Sequence, residues 1–432
     1  MARQSGPRSM RNFRYLACHD LGRGATGGEG MGLHLGKRGR RTLFLAGAWA
    51  PRDITAVDVT DPRRPVTIFA QDLPHPDMRS NNLAICGDIM AVTRQATKLG
   101  LKPAGVEFFD ISVPAEPRPV GFFDASGPTS LGTHFVWFTD GEYAYISSGL
   151  PDFEPRFHYD HFIPVILDVR DPANPKEAGR WWLPGSRAGD PEPALPRPAE
   201  LLADSMNLER PAERAIRTEV GGVTVWDFGY RSHNIGVYPN LPDRAYVGLI
   251  SGGVVTLDIS DKANPTLVSR LQYSPPLPGY THTVVPLGDE GHVLAITDEC
   301  VVDGALDYPK LLWLADNRYE PRPVMIGSAP IPEDARGGGK ARFGAHNLHE
   351  NIPVAGSWRS DRYLVGTYFS AGLRVFDAVD PFHPREVAHF VPYAEGSPAG
   401  CTQLNDVFVD DRQIAYTVDR VLPDLHILEL AL

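Results

Sequence analysis

Residues 254–271 read VVTLDISDKANPTLVSRL, and this stretch decides the fold. Apolar residues alternate up to Asp258, the Asp and Asn-Pro pairs force a corner, and a second apolar run resumes after Pro265. Alternation on both sides of a proline-marked turn reads as a strand, a turn and a strand. The phrase recurs as ITAVDVTDPRRPVTIF (54–69), VEFFDISVPAEPRPVGFF (106–123), VILDVRDPANPKEAGRW (165–181) and LRVFDAVDPFHPREVAHF (373–390). Two degraded copies complete the set. LLWLADNRYEPRPVMIG (311–327) keeps the aspartate and the prolines, and the chain end LHILELAL (425–432) keeps only the first strand.

The anchor residues Asp58, Asp110, Asp168, Asp258, Asp316, Asp377 and Glu429 are spaced by 52, 58, 90, 58, 61 and 52 residues, which makes seven units. A period above the ~40–50 residues of familiar propeller repeats suits four-stranded blades with generous loops. The last unit stops one strand short. NFRYLACHDL (12–21) is an apolar strand with no unit of its own, and it can supply the missing outer strand and remove the open edges. The sequence therefore predicts an all-β chain: one seven-bladed β-propeller over residues 12–432, closed by pairing of about 12–20 with 424–432, with residues 1–11 as a disordered tail. The phrases resemble the LVIVD repeat family of bacterial propellers over about residues 30–432. ARFGAHNLHENIP (341–353) and QLNDVFVDDR (403–412) also resemble sections of larger LVIVD proteins. That resemblance implies the propeller fold and leaves the activity open.

Composition agrees. The 42 glycines and 40 prolines favour many short strands joined by turns over long helices. A net charge of −11 without acidic runs argues against nucleic acid or an anionic membrane as the main partner, so a small molecule is expected, with no required protein partner. No stretch reaches the ~20 apolar residues of a membrane helix, and a cytoplasmic location is expected. Four cysteines, Cys18, Cys86, Cys300 and Cys401, form neither a disulfide framework nor a paired zinc spacing and are read as reduced.

Aligning the innermost strands of the units gives GMGLHLG, NNLAICG, THFVWFTDG, SHNIGVYPN, THTVVPLGD, AHNLHENIP and LNDVFVDDR. One column holds Met31, Asn82, His134, His233, His282, His346 and Asn405, with the register at Met31 the least secure. Four histidines in seven equivalent positions, from only 14 in the chain, are not a chance filling. His134, His233, His282 and His346 are the candidate metal ligands, converging where the innermost strands begin. Pleat parity alone leaves open which side of each strand lines the channel.

The same mouth collects the turns after second strands, where Arg94, Asp298, Glu299, Tyr368 and Arg420 lie. Glu299, with Asp298 as the other carboxylate, is expected to hydrogen-bond a ligating imidazole from behind. Asn82, Asn405, Arg94, His158, His161, Tyr368 and Arg420 are the candidate contacts to substrate or water. The 90-residue spacing between Asp168 and Asp258 places an insertion at 183–226, partly helical in composition, as a lid on that face.

Four neutral imidazoles suit one transition metal, with iron(II) first and manganese, copper or zinc as alternatives, better than calcium or magnesium. The constellation is similar to that of carotenoid-cleavage oxygenases, without a matching sequence motif; a weaker resemblance, carried by DISDP-type phrases alone, is to selenium-binding, methanethiol-oxidising propellers. The expected function is a metal-dependent enzyme, a non-haem iron oxygenase acting on a small, partly apolar or aromatic compound. A hydrolase, lyase or isomerase using the metal as Lewis acid, and a non-catalytic binding propeller, are the alternatives.

Overall fold

A computed structural model describes residues 5–22, 25–49, 51–198, 200, 217–220, 223–275, 277, 279–337 and 340–432. Seven antiparallel sheets follow one another around an axis, each innermost strand leading outward to the next. Blade 1 runs through strands 27–35, 41–47, 52–58 and 66–72, and blades 3, 4 and 5 repeat the four-stranded order. In blade 2 the inner position is shared by 78–79 and 83–86, both paired with 89–96. Among the described residues no helix is long and apolar enough to cross a membrane.

The repeated aspartate caps the corner of its blade. At six anchors its Oδ1 accepts the backbone N–H two residues on: Thr60 and Ser112 at 2.9 Å, Arg170 at 3.2 Å, Ser260 and Arg318 at 2.9 Å, Val379 at 3.1 Å. A short carboxylate satisfying its own turn is the reason the sequence keeps Asp there. Glu429, in the seventh unit, has no corner to cap and pairs with Arg14 across the closing strand.

The corners also join neighbouring blades. A Cβ at Gly121 would meet the Pro172 carbonyl at 2.0 Å, one at Gly179 the Lys262 carbonyl at 2.1 Å, and one at Gly327 the Pro381 carbonyl at 2.5 Å. Each outer strand thus gives up a side chain so that the next blade's corner can nest against it. Apolar clusters fill the space between blades: Leu43, Val57, Phe408 and Tyr416 between blades 7 and 1, and Phe44, Ile54, Val92 and Phe109 between blades 1 and 2.

Closure uses two strands. Residues 13–20 pair antiparallel with 424–430 and complete blade 7. Residues 7–11, expected as part of a disordered tail, instead form a strand on 385–392, the outer strand of blade 6. Asn12, with φ 54°, makes the step between the two blades. Phe13 enters the core beside Val365, Phe390 and Leu428. The helix expected in the insertion falls on residues 199 and 201–216, which lie outside the described residues; the described part of its end pairs 217–220 with 223–226 as a hairpin.

Phe13→Ala should lower the unfolding free energy by about 3–5 kcal/mol, as buried aromatic truncations do, whereas Met10→Ala on the exposed side of the first strand should change it by under about 0.5 kcal/mol. Urea denaturation of both variants checks this, and equal effects would mean that the N-terminal segment is not packed as a closing strand.

Candidate metal centre at the channel axis

The four histidines reach the axis through a repeated backbone irregularity. In blade 3 the pairing runs Thr133 with Ser148 and then Phe135 with Ser147, so His134 is an extra residue; His282 and Asn405 are extra in the same way in blades 5 and 7. In blade 6 the His346 N–H donates to Thr367 O at 3.0 Å and the Thr367 N–H donates to Asn347 O at 2.9 Å, two residues facing one. His233 and Asn234 face Gly248 in the same way. Such bulges re-aim a side chain out of the pleat, which decides what alternation left open.

In blade 1 the irregularity is larger. Pairing jumps from Gly27–Gly47 to Met31–Leu45, so residues 28–30 face Ala46 alone, and the side chain sent to the axis is Glu29 rather than Met31. Its flanking glycines permit this, because a Cβ at Gly30 would strike the Leu83 nitrogen at 2.2 Å. The sequence reading missed Glu29; the one available signal was a lone carboxylate inside GGEGMG, a stretch too glycine-rich for a strand built only to pack.

Each imidazole is held from behind through Nδ1. His346 Nδ1 lies 2.7 Å from the Asn405 carbonyl, His134 Nδ1 2.7 Å from Gln95 Oε1, His233 Nδ1 2.9 Å from Asn234 Oδ1, and His282 Nδ1 2.7 Å from Thr283 Oγ1. The backbone carbonyl of Asn405 can only accept. Gln95 Oε1 already accepts from Arg79 Nε at 2.8 Å, and Asn234 Nδ2 donates to Glu350 Oε1 at 2.8 Å, so both amide oxygens face their histidines. Nδ1 is therefore protonated in His346 and His233, and their Nε2 lone pairs face the axis; His134 Nδ1 also lies 3.2 Å from Arg79 Nη2, a group that can only donate. His134 Nε2 and His233 Nε2 stand 2.8 Å apart, and His282 Nε2 and His346 Nε2 are buried without a hydrogen-bond partner.

Two carboxylates join this set. Glu29 Oε2 lies 3.6 Å from His134 Nε2, 3.9 Å from His233 Nε2 and 3.8 Å from His282 Nε2, while Oε1 lies 3.8 Å from His346 Nε2. Glu299 Oε1 is 3.5 Å from His346 Nε2. Two triads, Glu29–His233–His282 and His282–Glu299–His346, each bring three ligand atoms within 4.8 Å of one another and could hold a metal ion. Burial drives His134, His233 and His346 well below the ordinary imidazole range, with neighbouring cationic and imidazole groups adding to it. Burial opposes the Glu29 carboxylate, but the surrounding imidazoles, His282 first and then His134, His233 and His346, outweigh it and hold that carboxyl well below its usual range. Burial, and then Glu29, push Glu299 upward.

A cleft of about 210 Å³ opens over the histidines, lined by Glu29, Arg79, His161, Arg231, Glu299 and Arg420 among others. Arg420 thus lies where the sequence placed it. Glu299 does not sit behind an imidazole as expected; its carboxylate is beside the axis-facing nitrogen of His346 and is braced by Arg342 Nη1 at 3.1 Å. Asp298 is spent on Tyr273 Oη at 2.5 Å and Trp313 Nε1 at 2.8 Å and supports no histidine.

Several expected contacts turn away. Arg94 is buried in an ion triad with Asp53 at 2.7 Å and Glu107 at 2.7 Å, joining blades 1 and 2. Asn82 bonds the Glu29 carbonyl at 2.7 Å and the Val136 N–H at 2.9 Å, and Asn405 bonds Gly28 O at 2.8 Å, so both stitch blades together around the axis. Tyr368 packs against Phe376 in the apolar core. His158 is exposed, and its carbonyl accepts from His161 Nδ1 at 2.7 Å. His161 itself is buried, with Nε2 unpartnered and on the cleft. The described start of the insertion is fastened beside this loop, where Arg197 bridges Asp160 at 3.0 Å and Asp227 at 2.6 Å.

The architecture is thus a seven-bladed β-propeller with a histidine and carboxylate cluster on its axis. Residues 243–272 match the LVIVD repeat. None of the curated proteins matches the chain. Among solved structures, the β-propeller domain of Cps50 (Swd1) from Myceliophteria thermophila is similar at a TM-score of 0.52 and 10% identity, covering 98% of this chain and 99% of that one. At that identity the likeness is of fold alone.

Burial, and then Arg231, hold His161 down to about 3, so the folded protein keeps it neutral where the unfolded chain would protonate it near pH 6.5. Its stability contribution is full above that pH and is lost as pH falls toward 3. The unfolding free energy of His161→Gln should therefore gain on that of the native chain by up to about 1.4 kcal/mol per pH unit between pH 6 and 4. A pH-independent difference in urea midpoints would show that His161 is not buried as a neutral base.

Proposed function

We propose that this protein is a metal-dependent enzyme whose ion is held by His134, His233, His282 and His346, with Glu29 and Glu299 as the adjoining carboxylates. One observation carries the reading: four buried imidazoles converge with two carboxylates, and the Nε2 atoms of His282 and His346 are buried there without a hydrogen-bond partner. His134 Nε2 and His233 Nε2 stand 2.8 Å apart, a separation that a shared proton or a bound cation accounts for. With metal–nitrogen bonds of ~2.1 Å, neighbouring ligand nitrogens stand about 3.0 Å apart at right-angled positions and about 3.4 Å apart at tetrahedral ones. Nitrogen anchoring by a backbone carbonyl or a side-chain oxygen is also how metal-bound histidines are ordinarily oriented.

Imidazole with carboxylate is a ligand set that iron(II) and manganese accept as readily in kind as zinc or copper; iron(II) is our first choice, and with it an oxidoreductase. When bound, iron(II) would supply one-electron and dioxygen chemistry. The chain's own part is to orient and to exclude water. Phe162 stacks on His134 at 5.6 Å and Phe369 on His346 at 4.6 Å, keeping both rings fixed and shielded. His161 offers Nε2 to the cleft as a proton or hydrogen-bond acceptor, the observation that favours a Lewis-acid lyase or hydrolase as second reading.

Elemental analysis of purified protein reloaded with iron(II) under anaerobic conditions should give about one equivalent, and His282→Ala should reduce it at least tenfold while the metal-free chain keeps its circular dichroism. Less than about a tenth of an equivalent in the native chain, with each of the four metals tried, would sink both enzyme readings and leave a non-catalytic propeller. Oxygen uptake with candidate substrates then separates the two.

A further inference from the structure

The chain is acidic overall, yet the cleft over the histidines gathers four guanidinium groups, Arg79, Arg231, Arg342 and Arg420, against two carboxylates, Glu29 and Glu299. Glu299 lies 3.1 Å from Arg342 and 4.0 Å from Arg420, and Glu29 sits down among the imidazoles. Among the described residues no ion pair involves Arg79 or Arg231. Both are nevertheless held in place by neutral groups. Arg79 Nε donates to Gln95 Oε1 at 2.8 Å and its guanidinium covers the Trp49 ring at 4.9 Å. Arg231 Nη2 donates to Tyr280 Oη at 3.2 Å and lies over Phe162 at 5.9 Å. A guanidinium carries five donors, and a pre-oriented pair with donors to spare is the ordinary means of gripping a planar anion.

His161 adds a different requirement. It is 7% exposed, its Nδ1–H is committed to the His158 carbonyl, and its Nε2 is a buried lone pair on the same cleft wall with no partner. A buried acceptor left unpaired is costly, so a ligand that supplies an O–H or N–H there gains affinity and specificity. The space, about 210 Å³, is below the ~300–1,000 Å³ of drug-sized pockets and suits a small molecule.

We propose that the cleft takes a small organic carboxylate that also carries a hydroxyl group. The carboxylate is gripped by Arg79 and Arg231, the hydroxyl donates to His161 Nε2, and the carbon skeleton lies against Phe162 above the histidines. As a substrate assignment it rests on the metal-centred reading of the site, but the binding it requires is measured separately from the metal.

Calorimetric titration of the native, metal-analysed protein with 2-hydroxybenzoate, benzoate, phenol and phenyl phosphate tests it. The hydroxy-acid should bind tightest, benzoate more weakly and phenol least. Arg231→Gln should weaken 2-hydroxybenzoate about tenfold to a hundredfold at unchanged metal content, and His161→Gln should bring 2-hydroxybenzoate and benzoate to within about twofold of each other. The proposal is overturned if phenol binds as well as the hydroxy-acid, if phenyl phosphate binds tightest, if Arg231→Gln is without effect, or if neither carboxylate binds at about 10 mM. Binding of the acids by protein that takes up no metal would refute the metal centre and leave this assignment standing; metal uptake without acid binding would do the reverse.

Discussion

A site on the axis of a ring of sheets exists only while the ring stays shut. Here the seam lies within blade 7, where 13–20 pair with 424–430, and the first and last parts of the axial cluster sit on either side of that blade, Glu29 on blade 1 and His346 on blade 6. The seam is fastened at two radii. On the outside, residues 7–11 and 13–20 give one continuous N-terminal segment to two neighbouring blades. On the inside, Asn405 donates to Gly28 O of blade 1 and accepts from His346 Nδ1 of blade 6 through its carbonyl, so one residue of blade 7 ties both neighbours at the axis. The apolar packing of Phe13 and the orientation of the His346 ring are parts of one closure.

The blades were legible in the sequence because each corner needs a short carboxylate to cap it, and a side chain with a local duty leaves a countable mark. The four histidines were legible for a related reason, since equivalent positions in a repeat can be compared with one another. What failed was everything that depends on which way a side chain is turned. Arg94 and Glu299 both follow second strands, yet Arg94 turns into the joint between blades 1 and 2 and Glu299 turns to the axis. Asp298, one residue before Glu299, points to the opposite side and meets Trp313. Glu29 escaped because a three-residue irregularity in blade 1 shifts the axis-facing position by two, a displacement no hydrophobic pattern records.

The cluster also shows how a fold can keep unlike ionisation states side by side. Burial alone would disfavour charge on both axial carboxylates. Glu29 escapes that tendency because the histidines surround it, whereas Glu299 is pushed upward by burial and by Glu29 itself. Two carboxyl groups at one site are thus driven apart in proton affinity by their surroundings, a pattern that commonly separates roles within an active site.

The glycines of the outer strands bear on this centre from the far side of the molecule. Seven wedges must together fill one full turn, so the angular width of each wedge is fixed by how closely its rim approaches the next. Gly121, Gly179 and Gly327 let neighbouring corners nest against backbone at the periphery, where a methyl group would find a carbonyl oxygen already in its place. A wider rim could be accommodated only by tilting the wedge, and tilt at the circumference becomes displacement at the hub. The gauge of the histidine ring is in that sense set some distance away, by residues whose contribution is to have no side chain.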